Sequence, residues 1–478
     1  MCKLLKNLFI FSALVLATIG CSDDDEYGYI TLSQSTLYFT EAGETSSITF
    51  ATSNMTSVYV YSFPEGWDAW IHLSSKTLYV TAPDDISDDT ESDLSGSVVL
   101  SGGTTSGSST TATLTVDFAE RVDINSQVDN SIFLNTPNYI YYFDATQTVP
   151  GGETISPASV SVLWQTSPTA LAYAKKGYYD DTVELYLKND SYDYDEDGVT
   201  DEVVNGNAVI AAYDSDDEIL WTWHIWVSDN DYGEVTINGK TYMDRNLGAF
   251  ANSNDSTDDI LDSYGLYYQW GRKHPFIYPS TYNASGGTIG SITGNNFVYA
   301  EISYEESDAD VGTLEYAMEN PLSFILGVEE SSYDWLYSDH DTSLWGSTKT
   351  IYDPCPKGWR VPDADAYVGL TIATPYATES EREDITLAYG WELTDGATTE
   401  LFMGLGRWNY LTGTFQNVFP QDDYSPWVGN YWTLGTSSGN YSSSFYFTYD
   451  LSDYENNALY PQYPAQRANG MQIRCQKE

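Results

Sequence analysis

Acidic side chains along residues 193–201 are spaced as in a loop that binds calcium. Carboxylates occur at every second position from Asp193 to Asp197 and again at Asp201, and Gly198 allows a sharp turn. Ca²⁺ takes about six to eight oxygen ligands, but Val204 occupies the position where such loops carry a bidentate glutamate. We therefore predict a structural Ca²⁺ site that another group completes; the alternative is an acidic hairpin turn. Its ligands would be Asp193, Asp195, Asp197, the Val199 carbonyl and Asp201.

Catalytic side chains form no comparable pattern. The four histidines are His72, His224, His274 and His340, and no two have the spacing of a His-x-x-x-His metal motif. The chain also contains no Gly-x-x-x-x-Gly-Lys phosphate loop. A glycoside hydrolase needs two carboxylates, but with 70 Asp and Glu no single pair is informative. We therefore expect that the protein is not an enzyme.

Aromatic and amide side chains alternate at two places without the strict period of a core strand. Trp408, Asn409 and Tyr410 form one group, and Tyr431 with Trp432 forms the other. An aromatic ring can lie against the apolar C–H face of a sugar while nearby amides bond to its hydroxyls. We predict a ligand-binding face at these residues. The alternative is that the rings pack inside the fold.

Composition limits the fold class and the partners. Only 19 Lys and Arg oppose 70 Asp and Glu, and the net charge of -51 would repel nucleic acids and anionic headgroups. Aromatic residues make up 15% of the chain, including 41 Tyr, and residues of this kind favour strands. The length of 478 residues suggests about two to four domains. We predict a mainly β protein.

Period-two alternation predicts two N-terminal β domains. Residues 28–118 contain runs such as Val58-Tyr59-Val60-Tyr61, which predict a β-sandwich. Residues 119–230 continue the pattern with runs such as Val183-Glu184-Leu185-Tyr186-Leu187. The most regular run puts Ile219, Trp221, Trp223, Ile225 and Val227 on one face of a strand and Thr222, His224 and Trp226 on the other. His224 is isolated from other histidines, which favours a structural role.

The N-terminal residues have the layout of a cleaved signal. Lys3 and Lys6 precede an apolar run, 8–17, and a small-residue stretch that ends in Cys21. This stretch resembles a bacterial lipobox, although Thr18 replaces the usual leucine. The resemblance implies that residues 1–21 are a signal peptide ending at the lipidated Cys21. The acidic tether 22–27 resembles the export signal of Bacteroidetes lipoproteins, which implies anchoring in the outer membrane, facing the exterior.

Five motifs occur in order in residues 231–478. They are Met243-Asp244-Arg245-Asn246-Leu247-Gly248-Ala249, Gly265-Leu266-Tyr267-Tyr268-Gln269-Trp270-Gly271-Arg272-Lys273, Tyr352-Asp353-Pro354-Cys355-Pro356-Lys357-Gly358-Trp359-Arg360-Val361-Pro362, Tyr431-Trp432 and Ile473-Arg474-Cys475. They resemble the Fibrobacter succinogenes major paralogous (FISUMP) domain of Bacteroidetes surface lipoproteins. That family resembles a C-type-lectin-like fold, which implies an α+β domain with long loops and a Cys355–Cys475 disulfide. Lectin chemistry does not follow, because the Glu-Pro-Asn and Gln-Pro-Asp triplets are absent.

A shorter resemblance lies near the N-terminus. The sequence Leu32-Ser33-Gln34-Ser35-Thr36-Leu37-Tyr38-Phe39-Thr40-Glu41-Ala42-Gly43 looks like the opening of a BACON domain, a module associated with carbohydrate or mucin binding. The resemblance implies that Trp67 and Trp70 could stack on a sugar. The alternative is that the core of the sandwich contains both tryptophans.

These patterns predict a non-catalytic, cell-surface lipoprotein that acts as a glycan-binding protein or adhesin, with a fimbrial tip component as one form. Its partner would be a glycan or a host or bacterial surface, in a fimbrial or polysaccharide-utilisation assembly. It would meet the membrane only through its lipid and would bind no nucleic acid. The alternatives are a surface glycoside hydrolase or its accessory, and a structural spacer or assembly subunit.

Overall fold

The first segment folds as a β-sandwich. The structure is a computed structural model that describes residues 28–84, 95–104, 107–137, 139–166, 170–177, 181–187, 203–277, 302–338, 340–373, 390–416, 427–436, 441–449 and 458–478. The first eight strands are β1 Tyr29–Leu32, β2 Thr36–Phe39, β3 Thr45–Ser53, β4 Tyr59–Ser62, β5 Asp68–His72, β6 Thr77–Thr81, β7 Gly96–Gly103 and β8 Ser109–Phe118. They form two sheets of order β1-β3-β6-β5 and β2-β8-β7-β4. Their alternating apolar residues fill one core, in which Leu37, Leu78 and Val116 are fully buried.

The second segment also contains two four-stranded sheets. Its strands are β9 Glu120–Asp123, β10 Ser131–Leu134, β11 Tyr139–Asp144, β12 Ser159–Gln165, β13 Leu171–Lys176, β14 Thr182–Leu187, β15 Gly206–Tyr213 and β16 Ile219–Val227, with a 3-10 turn at Asn125–Gln127. The sheet orders are β13-β14-β11-β9 and β10-β16-β15-β12. The predicted faces of β16 are confirmed, because Trp221, Trp223 and Ile225 lie in the core of this segment and Trp226 lies outside it.

The third segment is built of many short strands. They are β17 Glu234–Ile237, β18 Lys240–Met243, β19 Tyr268–Gln269, β20 Ser303–Glu306, β21 Ser323–Leu326, β22 Trp359–Arg360, β23 Thr371–Ile372, β24 Gly390–Thr394, β25 Thr399–Met403, β26 Arg407–Trp408, β27 Phe415–Gln416, β28 Trp427–Thr436, β29 Tyr441–Tyr449, β30 Leu459–Gln466, β31 Gly470–Met471 and β32 Gln476–Lys477. The two α-helices among the described residues are α1 Thr257–Asp262 and α2 Leu314–Glu319. The mainly β prediction is confirmed, but helices this short give the predicted α+β description no support.

The sheets of the third segment pair strands that are distant in sequence. Their orders are β17-β18-β32-β22, β19-β31-β26-β27, β20-β21, β23-β24-β25 and β28-β29-β30. Cys355 and Cys475 are joined by a disulfide with a Cα–Cα distance of 6.0 Å, which confirms the predicted pairing. Both cysteines are fully buried in the core that includes Trp359 and Ile473.

The second and third segments share a buried polar joint. The second face of β16 packs against the third segment, and His224 lies there with Nε2 2.9 Å from Asn207 Oδ1 and Nδ1 2.7 Å from Ser131 Oγ. Because Oδ1 can only accept, Nε2 carries the hydrogen, and Ser131 Oγ donates to the Pro354 carbonyl at 2.7 Å. Burial lowers the pKa of His224 to about 3. Asn130 extends the joint, since its Nδ2 donates to the carbonyls of Ile351 and Asp353.

The first segment contacts the second through stacked tyrosines. The Tyr38 ring lies 3.7 Å from the Tyr186 ring, centroid to centroid, with an interplanar angle of 18°. Tyr173 lies 6.3 Å from Tyr38 and is also buried. Burial raises the pKa of Tyr38, whose hydroxyl therefore stays neutral at physiological pH. This contact is mainly aromatic, whereas the joint at His224 is a hydrogen-bond network.

Candidate ligand-binding site

The outward face of the β1-β3-β6-β5 sheet carries polar and aromatic side chains in an ordered grid. Directly opposite residues on antiparallel strands point to the same face. On three neighbouring strands this gives the rows Asp68, Thr81 and Thr45; Trp70, Tyr79 and Ser47; and His72, Thr77 and Thr49. The inward residues between them, such as Ala69, Leu78 and Ile48, are buried in the sandwich core. The alternation of the sequence thus fixes which residues face solvent.

An aromatic pair lies in the middle row of this face. Trp70 and Tyr79 stack with ring centroids 5.3 Å apart and planes only 8° from parallel. Trp70 remains 43% exposed although Tyr79 covers one side of its ring. Among the described residues β5 is the last strand of its sheet, so no further strand of that sheet lies beside Trp70. The indole therefore offers a flat apolar surface at the edge of the sheet. We call these nine residues with Trp70 at the edge the Trp70 face.

Further exposed aromatic side chains lie on the second sheet and in its connection to β5. Strand β4 is the last strand of the second sheet and is joined to β5 by residues 63–67. Its Tyr61 is 68% exposed, and Tyr59 and Phe63 are exposed as well. Trp67 in this connection is buried and packs edge-on against Phe39, with centroids 4.8 Å apart. The connection is therefore held by one tryptophan from inside while its neighbours remain at the surface.

The polar groups of the Trp70 face flank the aromatic row on both sides. On one side, Thr45 Oγ1 and Thr81 Oγ1 are 2.8 Å apart beside the exposed Asp68 carboxylate. On the other side, His72 Nδ1 lies 2.8 Å from Ser75 Oγ. Hydroxyls and a carboxylate beside a flat ring suit a sugar, whose C–H face stacks while its hydroxyls form hydrogen bonds. Within these nine positions Asp68 is the single carboxylate, so the face itself lacks the pair that glycoside hydrolysis uses.

The site predicted at Trp408, Tyr431 and Trp432 is wrong, because all three side chains are fully buried. Each also has its polar atom bonded internally. Trp408 Nε1 donates to Ile277 O at 3.1 Å, Tyr431 Oη to Met403 O at 2.6 Å, and Trp432 Nε1 to Tyr268 O at 2.6 Å. The alternative interpretation, in which these rings pack the fold, is therefore the correct one.

The other two residues of that prediction are half-buried. Asn409 Oδ1 accepts from the backbone N–H groups of Leu411 and Thr412, at 2.9 and 3.1 Å. The amide therefore closes a turn in the manner of an Asx turn. The Tyr410 ring packs edge-on against Tyr333, with centroids 5.3 Å apart. These residues stabilise the loop and do not form a continuous exposed face with the buried tryptophans.

The calcium ligands Asp193, Asp195, Asp197, Val199 and Asp201 lie outside the described residues, as does Cys21. Those two predictions therefore stay predictions. The described part of the chain contains no group of three or more His, Cys, Asp or Glu side chains placed to hold a metal ion. Its helices are too short and too polar to span a bilayer.

Two further features, a buried lysine and a Gly-x-Ser-x-Gly run, resemble parts of catalytic sites. Lys273 is buried, and its Nζ donates to Thr222 O and Oγ1, both at 2.7 Å, at the joint of the second and third segments. Burial lowers its pKa well below the ordinary value. Residues 435–439 read Gly-x-Ser-x-Gly, and the strands that flank this run in the sequence, β28 and β29, pair antiparallel. A nucleophile elbow requires a following helix.

Part of the Trp70 face could have been found in the sequence. Trp67 and Trp70 are an odd number of positions apart, so an extended chain points them to opposite faces. Leu73–Lys76 is a short polar loop between two alternating runs, which pairs Trp70 with Tyr79 across a hairpin. The sequence carries no comparable signal for the exposure of Trp70, because that depends on β5 being an edge strand.

Comparisons with known proteins identify no relative. No family model matches the chain, and no curated protein matches it. Among solved structures, protocadherin gammaB7 EC3-6 aligns with TM-score 0.16 and 14% identity over 45% of this chain and 55% of that chain. Protocadherin Gamma B2 extracellular cadherin domains 1-5 aligns with TM-score 0.16 and 13% identity over 44% of this chain and 41% of that chain. SporoSAG from Toxoplasma gondii aligns with TM-score 0.13 and 11% identity over 41% of this chain and 96% of that chain.

The chain thus spans about half the length of these protocadherins. Structural likeness at these TM-scores supports no inference about this chain. The resemblances to the FISUMP and BACON families likewise stay predictions.

Proposed function

We propose that this protein is a non-catalytic surface lipoprotein that binds a glycan through the Trp70 face. The observation that carries the proposal is the Trp70–Tyr79 stack at the edge of a sheet. Hydroxyl groups lie on both sides of this stack, and one carboxylate lies on one side. The indole would contact the apolar face of one sugar ring. Asp68 and the threonines would exchange hydrogen bonds with its hydroxyls.

The shape of the face sets the expected strength of binding. The Trp70 face is open rather than a deep pocket, so a sugar would lose only part of its hydration and bind weakly. An anchored protein compensates for weak single sites, because many copies on one surface engage a polymer together. The proposal therefore fits an adhesin or a glycan-capturing protein better than a transporter of single sugars.

A glycan array tests the proposal. The wild-type protein should bind a subset of neutral or mucin-type glycans, and Trp70→Ala should lower that binding at least about tenfold, equivalent to about 1.4 kcal/mol. Tyr29→Ala is the matched control, since Tyr29 is an exposed tyrosine at the opposite edge of the same sheet. Unchanged binding by folded Trp70→Ala would contradict the proposal. Release of sugar product from any bound glycan would contradict its non-catalytic part.

The proposal includes three elements that lie beyond the described residues or the comparisons. The anchor would be lipid on Cys21 in the outer membrane, facing outward. The loop from Asp193 to Asp201 would hold a structural Ca²⁺. The third segment would be a FISUMP domain that connects the protein to a fimbrial or polysaccharide-utilisation assembly. Each is supported by the sequence patterns described above.

A further inference from the structure

Arg407 differs from the other arginines in the described residues. Arg121, Arg245, Arg360, Arg467 and Arg474 each form an ion pair with a carboxylate. Arg272 has no carboxylate partner but is buried, and its guanidinium donates to backbone carbonyls. Arg407 is half-buried, and its one hydrogen bond to a described residue runs from Nε to Gln416 Oε1 at 3.3 Å. In a chain with 19 bases and 70 acids, a cation without a carboxylate partner is unexpected.

Neither terminal nitrogen of the Arg407 guanidinium is fully buried. Nη1 and Nη2 have no hydrogen-bond partner among the described residues, and neither is a buried atom lacking a partner. These two nitrogens can therefore donate a parallel pair of hydrogen bonds to a ligand. A planar carboxylate is the group that this fork matches best.

Three tyrosines lie on the sheet whose first strand, β28, adjoins Arg407, since the N–H of the neighbouring Gly406 donates to Val428 O at 3.1 Å. Tyr446 lies on β29, and Tyr460 and Tyr463 lie on the edge strand β30. Their ring centroids are 4.9 to 5.7 Å apart. Tyr460 is 45% exposed and Tyr463 is 40% exposed. Burial lowers the pKa of Arg407, and the phenol groups of Tyr446 and Tyr463 raise it in part.

A buried amide without a partner lies under the same cluster. Asn430 is directly opposite Tyr446 in the β28-β29 ladder, so both side chains point to the same face. The Asn430 side chain is buried, and neither Oδ1 nor Nδ2 has a hydrogen-bond partner among the described residues. Buried amides are rarely left unpaired in folded proteins, and an exception indicates a bound group or water.

We propose that Arg407, Tyr446, Tyr460 and Tyr463 form a second binding site, for a sugar that carries a carboxylate. Arg407 would hold the carboxylate through Nη1 and Nη2, and the exposed tyrosine rings would contact the sugar's C–H face. The net charge of -51 does not prevent this, because charges farther away than about 8 Å are largely screened at physiological ionic strength. The inference is independent of the Trp70 face.

Titration calorimetry with the full protein tests the second site. The probes are trigalacturonate and sialyllactose, with lactose as the neutral comparison. We expect at least one acidic sugar to bind at least about tenfold more tightly than lactose. Arg407→Gln should remove that preference, and Tyr463→Ala should weaken binding several-fold. Arg407→Lys should retain part of it, because the charge stays but the fork is lost.

Two controls keep the test decisive. Lys477→Gln removes an exposed base that is paired with Glu234 and should leave binding unchanged. Trp70→Ala should keep the preference for acidic sugars over lactose, so failure of the Trp70 face and failure of this site are distinguishable. Tyr463→Ala changes an exposed side chain and tests the site even where Arg407→Gln does not fold. Equal affinity for acidic and neutral sugars, absence of acidic-sugar binding, or full binding by folded Arg407→Gln would overturn the proposal.

Discussion

The first and third segments use the same kinds of residue in opposite ways. In the first segment, Trp70 is on an edge strand with one side of its ring open. In the third, Trp408 lies on a strand of two residues, packs against Phe415 at a centroid distance of 5.0 Å and is fully buried. The difference arises from what covers each strand, since Trp408 is buried although Arg407 and Asn409 flank it in the sequence, and Trp70 is exposed although Ala69 and Ile71 flank it. Aromatic richness therefore identifies a capacity for binding but not its location.

Replacing each of the two tryptophans by alanine gives the largest expected contrast. Trp408→Ala should cost about 3–5 kcal/mol, because it leaves a cavity among Phe324, Phe415 and Met403 and an unpaired Ile277 carbonyl. Trp70→Ala should cost less than about 1 kcal/mol, since it removes mainly one exposed cross-strand pair. Thermal unfolding followed by circular dichroism measures both. Equal destabilisation by the two substitutions would break the comparison.

Removing the disulfide should destabilise the third segment and leave the first segment unchanged. Cys355 and Cys475 are 120 positions apart, and opening a loop of that length should cost up to about 5 kcal/mol. A Cys355→Ser, Cys475→Ser double variant should therefore show faster hydrogen exchange in β17 to β32 than the wild type. Exchange in β1 to β8 should not change, because the described cysteines both lie in the third segment. Faster exchange in the first segment alone would contradict this expectation.

Acid should weaken the second and third segments more than the first. Burial lowers the pKa of His224 from 6.5 to about 3, so the unfolded chain binds a proton at this residue that the folded chain does not. Stability is therefore complete above pH 6.5 and falls as the pH decreases towards 3, by about 2 kcal/mol at pH 5 from this residue. His224→Gln should flatten the slope between these values. An unaltered slope in the variant would assign the acid sensitivity to the carboxylates.

Regular alternation made parts of the fold predictable. The faces of β16 follow from its sequence because apolar residues occupy every second position from Trp221 to Val227. The sequence does not reveal that both faces are buried, since the second face is covered by residues such as Trp359 that lie far away in the chain. The disulfide was predictable because few cysteines were available and the motifs around them resemble a family.

The third segment was less predictable for a physical reason. Strands such as β26, β27 and β31 have two residues each, which is too short for any periodic signal. Their positions depend on pairing partners such as Trp408 with Gly470, which are distant in sequence. The lack of a carboxylate partner for Arg407 among the described residues also depends on tertiary structure. No sequence pattern shows which of the 70 acidic residues approach a given base.

The position of β32 has a consequence for how the chain acquires its structure during synthesis. This strand lies between β18 and β22 and joins residues near 242 and 360 to Gln476. A nascent chain cannot complete that sheet until residue 477 has emerged, whereas the strands of the first sandwich all lie between Tyr29 and Phe118. The first sandwich can therefore assemble before the later residues are available. The third segment cannot complete its fold until β32 arrives.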